Sequence, residues 1–190
     1  MSGVNKTIDS EGIEALRGII GKRIDSIDAY IVARDNVAWK AVRINCDGHA
    51  LDVMNGLEYL PINDEGDTEE MGILRVAPGD TETLVVDDVD TDASTCEIGA
   101  TVMGVTLVNG RVVTKDCGRV IADRSYTQAI AFGLSSGESL VLDKEAWFSE
   151  MISVGMGDPE DLVYDDAIDW EDDPEDPDVH FSWSRQVLVL

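Results

Sequence analysis

Gly133-Leu134-Ser135-Ser136-Gly137 matches the G-x-S-x-G pattern of a nucleophile elbow. That chemistry needs a serine on a sharp strand-to-helix turn above a parallel sheet, with a histidine to take its proton. Many aspartates and then His180 follow in the chain, an order that suits it. The flanks do not. Thr127 to Leu134 alternates as a strand, and Ser139 to Leu142 reads as another. The serine then falls in a hairpin, and a plain β-turn is expected.

Asp88-Val89-Asp90-Thr91-Asp92 places carboxylates at alternate positions, as the opening of a calcium-binding EF-hand loop does. Ala93 stands where that loop needs glycine, and Gly99 stands where its bidentate glutamate belongs. A solvated acidic loop is expected, with Asp88, Asp90 and Asp92 as weak metal candidates. His49 and His180 have no Cys or His at zinc-ligand spacing. No phosphate-cradling glycine loop precedes a lysine, so nucleotide hydrolysis has no support. The chain reads as a binding protein rather than an enzyme, with no catalytic residue and no cofactor.

The segment from Asp158 to Asp178 holds twelve carboxylates and no basic residue, with Leu162, Val163, Tyr164, Ile168 and Trp170 interleaved. A purely solvating tail would lack those apolar anchors. Carboxylates around an aromatic suit a cationic protein groove, where charge speeds encounter and the aromatic supplies binding energy. The partner-binding candidates are Asp161, Tyr164, Asp165, Asp166, Asp169, Trp170, Glu171, Asp172 and Asp173. The alternative is a loop that Trp170 tucks onto its own core.

The whole chain shares this charge. Its 190 residues carry 39 Asp and Glu against 14 Lys and Arg, a net charge of −25. Such a field repels nucleic acid and anionic lipid and attracts cationic surfaces. The partner expected is a basic protein such as a toxin or nuclease, with no direct nucleic-acid binding and no membrane. No run approaches the length of a membrane span and no signal-peptide pattern opens the chain, so a cytoplasmic location is expected. Cys46, Cys96 and Cys117 are odd in number and widely spaced, which suggests buried reduced thiols.

The elements that must position these residues are mostly strands. Asp9 or Ser10 caps a short helix with Ile13, Leu16 and Ile20 on one face, and Gly21 stops it. Lys22 to Ala33 reads as a strand with a bulge. Val37 to Cys46 follows with Val42, Ile44 and Cys46 on one face, then Asp47-Gly48 as a hairpin turn and His49 to Met54 as the return. Met71 to Val76 and Glu82 to Val86 are expected strands joined at Pro78-Gly79-Asp80. Asn109-Gly110 predicts a second hairpin, between Thr101 to Val108 and Arg111 to Thr114. Val120 to Asp123 precedes the Thr127 strand, whose Ile130, Phe132 and Leu134 share a face. Asp143 caps a helix to Ile152 with Trp147, Phe148, Met151 and Ile152 as its stripe, and His180 to Leu190 is the last strand.

The fold class is α+β, mostly β: antiparallel sheets or small barrels with two short helices. The expected organisation is a β-rich unit with a leading helix over 1–86, an acidic loop or linker over 87–98, and a second β-rich unit over 99–190 that carries the acidic segment 158–178. Ala41-Val42-Arg43-Ile44 lies beside Ala129-Ile130-Ala131-Phe132, and Gly48-x-x-Leu51 beside Gly137-x-x-Leu140, at offsets of 88 and 89. Gly21-Lys22 and Gly110-Arg111 repeat the second offset. An internal duplication or similar hairpins arising separately would each produce this.

In layout the chain resembles the immunity proteins of bacterial toxin systems. The residues concerned are the Gly21-Lys22-x-Ile24 opening, the hairpins with Asp47-Gly48 and Ser136-Gly137, and the expected helix Lys144-Glu145-Ala146-Trp147-Phe148 after a strand. The resemblance implies a non-enzymatic inhibitor that blocks one partner by occlusion. Three other readings compete with it. One is a DNA-mimicking antagonist from a virus or mobile element. Another is a structural or assembly protein with a halophile-type acidic surface. The last is a metal-dependent enzyme built on Asp87 to Asp92.

Overall fold

The computed structural model describes residues 3–31, 36–61, 67–79, 84, 93–170, 172 and 177–190. Helix α1 (Ser10–Gly18) starts where its cap does: the Asp9 carboxylate accepts the Gly12 N–H at 2.8 Å. Leu16 on its inner face is fully buried, and Gly21 turns the chain out of it with a φ of +82°. The strands are β1 (Val4–Lys6), β2 (Arg23–Ile31), β3 (Val37–Cys46), β4 (His49–Pro61), β5 (Thr68–Gly79), β6 (Ser94–Asp116), β7 (Arg119–Leu134), β8 (Ser139–Asp143), β9 (Met151–Gly157) and β10 (Val179–Val189). A short helix α2 (Pro159–Leu162) and a 3-10 turn (Asp166–Trp170) lie between the last two. No helix among the described residues is long and apolar enough to cross a membrane.

Among the described residues every strand pairing is antiparallel except β1 with β7. The order β7-β8-β9-β3-β2-β6 closes on itself through the β6–β7 pairing, forming an antiparallel ring. The alternation read from the sequence decides what faces the inside. Val42, Ile44 and Cys46 of β3 and Ile130, Phe132 and Leu134 of β7 meet in one buried cluster with Ile24, Val105 and Leu140. The bulge expected in β2 is present as register shifts after Ile24 and Ala29. Strands β4 and β5 continue outward from β3. The outer half of the β6–β7 pair continues beyond the ring with β10 on one side. These two wings enclose a second cluster of Leu60, Met71, Ile73, Val112, Tyr126 and Trp170.

Strands from the two expected units pair with each other in β1–β7, β2–β6 and β3–β9. Ser94 to Ile98, within the expected linker, belongs to β6. Residues 87–92 of that linker, and the expected strand from Glu82 to Val86 apart from Leu84, lie outside the described residues. The hairpins whose sequences look alike are β3–β4 and β7–β8, and their turn glycines Gly48 and Gly137 both take a positive φ, but the other glycine pair differs. Gly21 has a positive φ and Gly110 does not.

Four expectations are corrected. Asn109-Gly110 is no hairpin turn: β6 runs straight through it with a register shift at Val108/Asn109. A Cβ on Gly110 would stand 2.6 Å from the Tyr126 ring, so this glycine makes room for a buried tyrosine. The turn comes at Cys117-Gly118, with φ of +47° and +78°. Consequently Val120 to Asp123 and Thr127 to Leu134 are one strand. Pro78-Gly79 lies within β5 rather than in a turn. Of the thiols only Cys46 is buried, while Cys96 and Cys117 are exposed.

The fourth correction is the helix expected from Asp143. Residues 144–150 form a loop and Met151–Gly157 is a strand. The Asp143 carboxylate accepts the Glu145 N–H at 2.6 Å, and Glu145 takes a φ of +59°, which no α-helix tolerates. The loop then lies on β5, where the Gly72 N–H donates to the Trp147 carbonyl at 2.7 Å. A Cβ on Gly72 would meet the Ser149 carbonyl oxygen at 2.3 Å. Gly72→Ala is therefore expected to force the loop off β5 and to cost on the order of 1–3 kcal/mol, measured by chemical denaturation. An unchanged midpoint would show that the loop does not seat here.

Candidate partner-binding site

The acidic segment is fastened at successive points. The Asp158 carboxylate caps α2 by accepting the Glu160 N–H at 3.0 Å. Leu162 and Val163 then cover an outer patch of Val108, Ala129, Ala131 and Val141. The Tyr164 N–H donates to buried Asp143 at 3.1 Å, and its carbonyl accepts from Arg185 at 2.8 Å. The Tyr164 hydroxyl donates to Asp169 Oδ1 at 3.0 Å, while Asp169 Oδ2 accepts the Trp147 N–H at 3.1 Å.

Trp170 is the deepest of these points. It is 7% exposed, with Trp147 at 5.4 Å and Phe181 at 5.9 Å between ring centroids. Its indole N–H donates to the Tyr126 hydroxyl at 3.2 Å. The Arg124 guanidinium lies 6.0 Å from its ring centroid, at the edge of cation–π range. Arg124 also faces Glu69 at 3.5 Å; burial raises the Glu69 carboxyl above its usual range and Arg124 offsets part of that. Beyond the turn, Asp172 accepts the Phe181 N–H at 2.8 Å and meets His180 Nδ1 at 2.8 Å. The His180 contact first, and then the Phe181 N–H, hold the Asp172 carboxyl below the ordinary carboxylate range.

The candidates thus divide. Trp170 is an internal anchor and not an exposed one, because two wings of sheet and Trp147 surround it. Tyr164 and Asp169 are half-buried and spend their polar atoms on the protein itself. Asp161, Asp165 and Asp172 are exposed. Asp166 is described in its backbone only, and Glu171 and Asp173 lie outside the described residues, as do Asp88, Asp90 and Asp92. The apolar side chains presented to solvent here are Ile168, 61% exposed, and Phe148, 59% exposed. They flank the Trp147–Asp169 hydrogen bond. Neither stands out in the sequence: Phe148 fits a helix stripe and Ile168 is one apolar residue among several.

Ser135 sits in the expected β-turn, with Gly137 at a φ of +92°, and its hydroxyl accepts the Thr101 N–H at 3.1 Å. His180 is joined to Asp172 rather than to this serine. No protein-family model, curated protein or solved structure matches the chain.

Proposed function

We propose that this protein is a non-enzymatic inhibitor that binds a basic protein partner through the face of its acidic segment and occludes it, in the manner of an immunity protein. One observation carries the reading. Exposed Asp161, Asp165, Ile168 and Asp172 lie along one segment fixed in place by Trp170, and exposed Phe148 adjoins Trp147, which packs on Trp170. A fixed segment loses little conformational entropy on binding. The carboxylates supply steering within a net field of −25, and the two apolar side chains supply area to bury.

The test is capture from the native host on immobilised protein at low salt, followed by identification and titration of what binds. Affinity is expected to fall at least about tenfold as salt rises from ~0.05 to ~0.5 M, since exposed charges are screened over that range. Asp161→Asn with Asp165→Asn should flatten that dependence, and Ile168→Ala should weaken binding at every salt concentration. Affinity indifferent to salt would remove the proposal. Displacement of the captured protein by duplex DNA would instead mark a DNA mimic.

A further inference from the structure

β10 is an edge strand whose protection stops part-way along. Among the described residues it pairs only with β6, in an unbroken register from Val179↔Asp116 to Val189↔Thr106. Alternate residues of an antiparallel strand turn their N–H groups to opposite sides. The Leu190 N–H reaches the Val105 carbonyl at 2.9 Å, while the Phe181 N–H turns the other way to Asp172 at 2.8 Å. Even-numbered residues therefore serve β6, and odd-numbered residues face outward. Asp172 caps that outer edge at Phe181. Val187 and Val189 also point their N–H groups outward, and their side chains are 59% and 72% exposed, with Leu188 between them at 39%. No proline, lysine or bulge interrupts this end, and those are the devices that keep an edge from pairing.

We infer that the Val187–Val189 end of β10 accepts an added β-strand from the partner, and that the added segment alternates apolar and basic residues. The inference rests on the acidic-surface reading above and deepens it. Charge selects the occupant. β10 runs beside the acidic segment, touching it through Arg185 and Tyr164 and through Phe181 and Asp172. Tyr164, held by Arg185 two residues before Val187, has exposed Asp165 next to it in the chain, and the whole molecule adds a net field of −25. A second copy of this chain would bring its own carboxylates and its own charge of −25 to the same place. Basic side chains match those carboxylates, apolar ones cover Val187 and Val189, and the backbone supplies the ladder.

The probe is a short synthetic peptide of alternating valine and lysine. A second peptide has the same sequence with alternate backbone nitrogens methylated, and a third alternates valine and glutamate. The lysine peptide should bind and slow amide exchange at Val187 and Val189. Methylation should cost at least about tenfold in affinity, because it removes ladder donors without changing charge. Val187→Pro should weaken binding likewise while the protein stays folded, since that N–H does not serve β6. Equal binding of the methylated peptide, with exchange at Val187 and Val189 unchanged, overturns strand addition and leaves the acidic-surface reading standing. Failure of both lysine peptides, or equal binding by the glutamate peptide, overturns both. A dimer in sedimentation that Val187→Pro abolishes, without peptide binding, assigns the edge to a second copy and overturns the inference.

Discussion

Trp170→Ala is expected to lower the unfolding free energy by about 3–5 kcal/mol, the usual loss for deleting a large buried aromatic. The indole is 7% exposed and sits among Trp147, Phe181, Tyr126 and Arg124. These groups come from the β8–β9 loop, β10 and β7, so collapse onto the cavity would need three elements to move together. The Tyr126 hydroxyl loses the indole donor, and Arg124 loses the ring above its guanidinium. Denaturant unfolding measures the loss, and amide exchange at Tyr164 and Phe181 reports whether the acidic segment lifts off. Trp170→Phe should retain most of the packing and lose the bond to Tyr126, a change of about 1 kcal/mol. Ile168→Ala, two residues away and 61% exposed, should stay within about 0.5 kcal/mol of wild type. If Trp170→Ala unfolds at the wild-type midpoint, the segment is not anchored and the preorganised face has no basis.

The contrast between Trp170 and Ile168 shows where the sequence could be read and where it could not. Both stand in one acidic run, and local composition cannot say which turns inward. That depends on Tyr126 and Phe181, which are distant in sequence from each other and, for Tyr126, from the segment itself. Features governed by neighbours in the chain were legible: the Asp9 cap, the Asp47-Gly48 turn and the inward faces of β3 and β7. The mostly β, antiparallel character followed from that alternation. Closure of the ring did not, because the β6–β7, β2–β6 and β3–β9 pairings are long-range. Asn109-Gly110 misled for the same reason. Its glycine answers the ring of Tyr126 across the β6–β7 ladder, not a turn in its own strand.

Asp143 tests this long-range control most directly, and Asp143→Ala is expected to cost at least about 3 kcal/mol. Asp143 is 1% exposed, and its carboxylate accepts from Gln128 Nε2 at 3.1 Å, the Glu145 N–H at 2.6 Å and the Tyr164 N–H at 3.1 Å. A buried donor left without an acceptor costs about 1–3 kcal/mol. The neighbouring Lys144 is fully buried, with its ammonium donating to the Gly72 carbonyl at 3.1 Å and 4.2 Å from the Tyr126 ring centroid. Lys144 enters the same loop, so a shift of the turn at Asp143 also draws a buried ammonium from its acceptor, which aggravates the loss. Asp143→Asn separates the contributions. Its amide oxygen, placed at Oδ1, still serves Gln128 and Glu145, so the turn into the 144–150 loop holds. Its amide NH2 then faces the Tyr164 N–H, donor against donor. The asparagine variant should lose less stability than the alanine variant, with amide exchange accelerated at Tyr164 and little changed at Glu145. Equal acceleration at both amides would mean that Asp143 holds the loop and the acidic segment as one unit rather than through its two separate oxygens.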